Sequence, residues 1–196
     1  MSRIWQAGAR DHSSSTRANG YRATLAADPD KRGPFMKRVL ITGMSGTGKS
    51  SVMEELAARG YQAYDLDTPE WSQWVDADHA DFLTPTRGKD WVWRDNRVRA
   101  LLSKPGEGIL FIGGCAENMG RFFSMIDATI LLSAPVATIM QRLATRCGGY
   151  GRSAEERWKI HHLISTIEPL LRKSADYEID TTRAIPAIVD EILRIV

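Results

Sequence analysis

The chain has 196 residues, enough to bury the core of one domain. It contains no apolar run long enough to span a membrane and opens without the apolar stretch of a secretory signal. Its formal charge of +2 is uneven: residues 1–38 hold eight Lys/Arg against three Asp/Glu, and the remainder holds 18 against 21. The body is therefore mildly acidic, and its charge balance calls for no nucleic-acid partner. Cys115 and Cys147, the two cysteines, lie far apart and outside any C-x-x-C. That pattern suits a reducing cytoplasm, with one a small core residue and the other a loop residue.

Residues 1–35 lack apolar periodicity and carry a Ser/Thr run at 13–16, scattered arginines, Asp28-Pro29-Asp30 and Gly33-Pro34. They read as a disordered tail, or as an extension of the reading frame ahead of a start at Met36. Asp11, Asp28 and Asp30 argue against a transit peptide. The folded domain is expected over 36–196.

Lys37–Thr42 reads as a strand covered on both faces. It runs into Gly43-Met44-Ser45-Gly46-Thr47-Gly48-Lys49-Ser50, which fits G-x-x-x-x-G-K-[ST], and then into a helical pattern ending at Gly60. Gly43, Gly46 and Gly48 let the loop turn tightly and point backbone N–H groups inward. Ser45, Thr47 and Ser51 complete the phosphate cradle, and the helix start adds unpaired N–H groups and a positive dipole end. Lys49 supplies a mobile charge for the β- and γ-phosphates, and Ser50 a hydroxyl for Mg²⁺.

Tyr61–Tyr64 is the second strand, ending at Asp65-Leu66-Asp67. Thr68-Pro69 reads as a helix cap with Pro at the first position. Residues 70–100 concentrate Trp71, Trp74, Trp91 and Trp93 with Asp76, Asp78, Asp81, Arg87, Arg94, Arg97 and Arg99. Helical spacing runs over Trp91–Leu102, placing Arg94 and Arg97 on one face, where they suit a carboxylate or phosphate or are solvated beside Asp90 and Asp95. The tryptophans either stack on a base or sugar or cover the sheet edge. Gly108–Ile112 is a strand opening onto Gly113-Gly114, and Ala128–Leu132 another. Pro135 then starts a helix with Val136, Ile139, Met140 and Leu143 on one face.

Thr145–Ser153 is a polar, glycine-rich segment with Arg146 and Arg152, a candidate lid able to neutralise charge and exclude water. Ser153–Glu156 is a capping box for a helix running to about Lys173. His161-His162 reads as its surface, since no metal-ligand spacing surrounds the pair. Tyr177–Ile179 and Ala187–Ile195 are the last strand and helix. Alternating strands and helices predict an α/β three-layer P-loop NTPase fold: a parallel five-stranded sheet with helices on both faces and a short lid. In such sheets ligands sit beyond the carboxyl ends of the strands, where Gly43, Asp65, Asp67, Gly113 and Gly114 all fall.

No guanine-reading N-K-x-D follows a later strand, which disfavours a GTPase. Ile109–Ile112 ends in Gly-Gly rather than the Asp of motor-type ATPases. The acids instead follow the second strand. Asp65 is placed to assist Ser50 with the metal, and Asp67 to orient an acceptor hydroxyl or take its proton.

In these features the chain from Lys37 to Val196 resembles shikimate kinase and the wider small-molecule and nucleoside-monophosphate kinase group. Asp65-Leu66-Asp67 is similar to the family's D-x-D, Trp93-Arg94 to its aromatic–Arg pair, and Phe111–Cys115 to its glycine-rich substrate loop. Arg146–Arg152 resembles the segment with an adenine-stacking and a catalytic arginine, and Glu168–Leu171, Ala175-Asp176 and Ile179–Thr181 its C-terminal pattern. The resemblance implies ATP and Mg²⁺ as cofactors, Ser50 and Asp65 at the metal, and Lys49, Asp67 and Arg152 in catalysis. It places Arg146 at the nucleotide, and Asp67, Arg94, Gly113 and Gly114 at the acceptor.

Four departures argue for an acceptor other than shikimate, one of them the four tryptophans that crowd residues 70–100. Ser165–Glu168 holds no arginine where the family grips a carboxylate. Arg97 stands where the family has an acid, and the lid is one residue shorter between its arginines. The expected activity is phosphoryl transfer from ATP to a hydroxyl or phosphate of a small metabolite, by a monomer acting without membrane or nucleic acid. A nucleoside or nucleotide kinase, a non-catalytic ATP-binding switch and a nucleic-acid 5′-end kinase are the alternatives.

Overall fold

The structure, a computed structural model, describes residues 35–77, 88–146 and 150–196. The reading of the tail, save Phe35, and those of Asp78, Asp81, Arg87, Cys147, Gly148 and Gly149 lie outside the described residues.

Five strands form one parallel sheet: β1 (Met36–Thr42), β2 (Gln62–Asp65), β5 (Gly108–Gly113), β6 (Ala128–Ser133) and β7 (Tyr177–Asp180). Their spatial order is β2-β5-β1-β6-β7. β1 is central, with Val39 opposite Phe111 of β5 on one side and Ala128 of β6 on the other. Alternation along β1 divides the core. Val39 and Ile41 pack with Val52, Leu56, Ile188 and Ile192 of α1 (Lys49–Ala58) and α6 (Ile185–Ile195). Leu40 faces the opposite layer, which contains Val98 of α2 (Asp95–Leu102) and Leu143 of α3 (Val136–Thr145). Ile160 of α4 (Ala154–Thr166) and Leu171 of α5 (Glu168–Ser174) complete it. Each such fully buried Leu or Ile contributes about 1.5–3 kcal/mol. The strand end carrying the glycine loop is thus fixed from both sides.

The sheet, its five parallel strands and the helices on both faces are as expected from the sequence. Three local expectations are corrected. Thr68-Pro69 starts a turn, not a helix: Trp71 and Ser72 donate their N–H groups to Thr68 O at 3.0 and 2.9 Å. A strand follows, β3 (Ser72–Asp76), antiparallel to β4 (Lys89–Trp93), with Ser72 opposite Trp93. The helix expected over Trp91–Leu102 therefore begins only at Asp95, since the aromatic and β-branched run Trp91-Val92-Trp93 pairs as β4. The helix expected to reach Lys173 is broken at Ile167, because Pro169 sits in the first turn of α5 and has no N–H to continue the ladder. The capping box forms as read: Ser153 Oγ accepts from Glu156 N at 3.0 Å, and Glu156 Oε2 accepts from Ser153 N at 3.0 Å.

Candidate active site

The loop 43–50 joins β1 to α1. Gly46 and Gly48 hold φ of 89° and 98°, in the left-handed region. A Cβ on Gly46 would stand 2.9 Å from Ile139 Cγ2, so the loop is seated on α3 as well as bent. Thr47 is fully buried, and its hydroxyl donates to Met44 O at 2.8 Å, locking the loop from inside. Ser45 is half-buried, and Ser50 and Ser51 are exposed on the first turn of α1, where the backbone N–H groups lack helical partners. Lys49 folds back across the loop, its Nζ donating to Gly43 O at 2.8 Å and Met44 O at 3.4 Å.

The acids at the end of β2 meet this loop. Ser50 Oγ donates to Asp65 Oδ2 at 2.7 Å, and Asp65 Oδ1 accepts Asp67 N at 3.0 Å. Ser50 and Asp65 thus offer paired hard oxygen donors at the loop's rim, a set that fits Mg²⁺ retaining most of its waters. Asp67 lies 3.8 Å from Lys49 Nζ, with the two side chains 30% and 11% exposed. Both Asp67 oxygens accept the N–H of Cys115, at 3.0 and 3.2 Å. Burial pushes the Asp67 carboxyl above the usual carboxylate range, against the opposing pull of Lys49, the Cys115 N–H and the Trp93 indole.

Gly113 ends β5, accepting Leu66 N at 2.7 Å, while Gly114 donates to Ile41 O at 3.1 Å. A Cβ on Gly114 would stand 2.7 Å from Asp67 Oδ1 and 3.1 Å from the ring of Trp93, so this strand end is closed to any larger residue there.

Of the pair Trp93-Arg94, it is Trp93 that borders Asp67. Arg94, just past β4, donates from NH1 to Gln73 Oε1 at 2.7 Å and from NH2 to Pro69 O at 3.4 Å. Arg94 precedes α2, and its Nε is buried without a hydrogen-bond partner among the described residues. Arg97 is paired with Glu70 at 3.0 Å and lies over the Trp71 ring, whereas Asp95 is engaged by Arg99. Trp74 packs on Trp91 with centroids 4.8 Å apart and remains half exposed. In the lid segment Arg146 caps α3, and Arg152 is exposed, its carbonyl accepting from Arg157.

Sequence reasoning missed two residues here. Arg142, one helical turn before Arg146, donates to Gly46 O at 3.4 Å and Thr181 Oγ1 at 3.1 Å, tying the loop to the end of β7. Its i, i+4 spacing from Arg146 was the available signal. Asn118 is buried and holds the backbone of Trp93 through two bonds of 2.9 Å, to Trp93 N and from Nδ2 to Trp93 O. No local pattern marks it.

A glycine loop closed by Lys49 between a central parallel strand and a helix, with acids at the neighbouring strand end, defines a P-loop nucleotide-binding protein of the α/β class. A family profile described as an AAA domain matches residues 39–159, and the chain belongs to that family. Shikimate kinase from Acinetobacter baumannii, solved with shikimate, is similar in fold, with a TM-score of 0.54 at 20% identity over 82% of this chain and 92% of that one. Shikimate kinase from Bacteroides thetaiotaomicron gives a TM-score of 0.52 at 16% identity over 81% and 97%. A gluconokinase from Sinorhizobium meliloti gives 0.47 at 17% identity over 83% and 92%. No protein of curated function matches the sequence. No helix among the described residues is long and apolar enough to cross a membrane.

Proposed function

We propose that this chain is an ATP-dependent phosphotransferase that moves the γ-phosphoryl group to a hydroxyl or phosphate of a small metabolite. The observation that carries the reading is the meeting of Lys49 and Asp67 at 3.8 Å, beside the Ser50–Asp65 pair. Such transfer is mostly positioning and charge neutralisation. The loop N–H groups and Lys49 hold the phosphates, and bound Mg²⁺ at Ser50 and Asp65 would screen their charge. Asp67 receives the acceptor's proton: as its oxygen bonds to phosphorus, the bond to the leaving ADP oxygen breaks. Gly113 and Gly114 let the acceptor approach Asp67, Arg94 anchors an anionic group on it, and Arg146 and Arg152 act at the nucleotide and the transferring group. The fold likeness to shikimate kinases supports a hydroxylated acceptor. The missing arginine at Ser165–Glu168 argues against shikimate itself.

A base-bearing acceptor is the second reading, favoured by the half-exposed Trp74 packed on Trp91. These residues share the hairpin face of Trp93, an aromatic wall two residues per step from the Asp67 side. ADP release with and without pooled hydroxylated metabolites and nucleosides tests both readings. Acceptor-dependent release that disappears in Lys49→Ala, with the fold retained by circular dichroism, is the expected result. Release indifferent to every acceptor, or unchanged by Lys49→Ala, overturns the assignment and leaves a nucleotide-binding switch.

A further inference from the structure

Trp93 is 1% exposed and packs on Phe122 with centroids 5.5 Å apart. Asn118 fixes its backbone on both sides at 2.9 Å. Yet its indole Nε1 is buried and makes no hydrogen bond of ordinary length and angle among the described residues, although it already stands near enough to Asp67 to pull that carboxyl down. A buried donor left unpaired is costly, and such a group at a cleft calls for an explanation. Its surroundings supply one. A Cβ placed on Gly114 would stand 3.2 Å from Trp93 Nε1 and 2.7 Å from Asp67 Oδ1, so the N–H and the carboxylate border the same gap. The indole is pinned, while Asp67, with its side chain 30% exposed, is the partner able to turn.

Lys49 is the counter-charge of Asp67 in this structure, at 3.8 Å. It is also the mobile cation of the phosphate loop, and a compact ammonium cannot serve a triphosphate and Asp67 equally. The Cys115 N–H alone would then hold the carboxylate, whose lone pairs are far from filled by one donor. We propose that Trp93 is a positioning residue that takes over Asp67 from Lys49 when nucleotide binds, its indole N–H donating to Oδ1 across the gap that Gly114 leaves. The acceptor's hydroxyl thereby meets a carboxylate held by two fixed donors, Trp93 Nε1 and Cys115 N, instead of one shared with the phosphates. This inference rests on the P-loop reading and on Asp67 as the acceptor-orienting group.

The test is made on the ¹⁵N-labelled full chain. The indole N–H resonance of Trp93 is assigned by its loss in Trp93→Phe, and the probe is a non-hydrolysable Mg–ATP analogue. Calorimetry on the same sample establishes saturation. The expected result is a downfield move of the Trp93 indole proton on saturation in the wild type and no such move in Asp67→Ala, which removes the acceptor oxygen. A saturated site with an unmoved resonance, or an equal move in Asp67→Ala, overturns the inference while leaving nucleotide binding intact. Absence of binding in the calorimeter overturns the P-loop reading and this inference with it, and is seen separately. In acceptor-dependent turnover, Trp93→Phe keeps an aromatic ring against Phe122 but lowers kcat about ten- to a hundredfold with the KM for ATP unchanged. Wild-type kcat in this variant also overturns the role.

Discussion

Replacing Asp67 by Asn should push activity and stability in opposite directions. Asn keeps the shape and one oxygen for the Cys115 N–H, which now bonds both carboxylate oxygens at 3.0 and 3.2 Å. It cannot take a proton from an acceptor. A positioned base contributes about 10²–10⁴-fold, so acceptor-dependent ADP release should fall by that factor. Stability follows the charge. Burial holds the Asp67 carboxyl above its ordinary range, so the folded chain disfavours the ionised form more than the unfolded chain does. Near neutral pH the wild type carries that cost and the Asn variant does not. Relieving a destabilised active-site group commonly returns about 0.5–2 kcal/mol. In a chain of this size that corresponds to about 1–8 °C in Tm. Loss of the Lys49 contact at 3.8 Å works against the gain and places it toward the lower end. The gain should be present above the folded pKa of Asp67 and vanish as pH falls through it, where the wild type is itself protonated. Thermal unfolding of both proteins from neutral into mildly acidic pH measures this. A variant less stable at neutral pH, or a gain that ignores pH, refutes the account of Asp67 as a partly buried, reluctantly ionised base.

Two further substitutions probe the same edge of the sheet. Gly114→Ala puts a Cβ 2.7 Å from Asp67 Oδ1 on a backbone with φ of 154°. It should cost about 1–3 kcal/mol in urea unfolding, as overpacking does, and reduce turnover; full activity would mean that the gap between Asp67 and Trp93 is not used. Burial pushes the Cys115 thiol up to about 11, so in a Cys147→Ser background iodoacetamide at pH 8 should label Cys115 far more slowly in the native than in the unfolded protein. Equal rates would show that the site beside Asp67 is open and wet.

Much of this architecture is written locally. The strand, Gly43–Ser50 and the helix to Gly60 form one contiguous signal, because strand period, glycine conformation and helix start each act within a few residues. The Ser153–Glu156 box is legible for the same reason. The hairpin of β3 and β4 is not, since it depends on Ser72 meeting Trp93, twenty-one residues on. Arg94, Arg97 and Arg99 also impose a helical spacing that extends the apparent helix back over Trp91. The acids at Asp65 and Asp67 are legible as strand-end residues, but their meeting with Ser50 and Lys49 depends on β2 lying at the sheet edge beyond β5. The unpaired indole N–H of Trp93 is beyond any sequence pattern, because only packing decides whether a tryptophan nitrogen finds a partner.

The Arg142 tie has a consequence for how the protein is made. The phosphate loop precedes most of the sheet in sequence, but Arg142 braces Gly46 O against Thr181, just past β7. β1 itself waits for β5 and β6, some seventy to ninety residues downstream. A chain still on the ribosome thus carries the glycine loop long before it has the strand that steadies it. Competence to hold nucleotide therefore waits until β7 has been made.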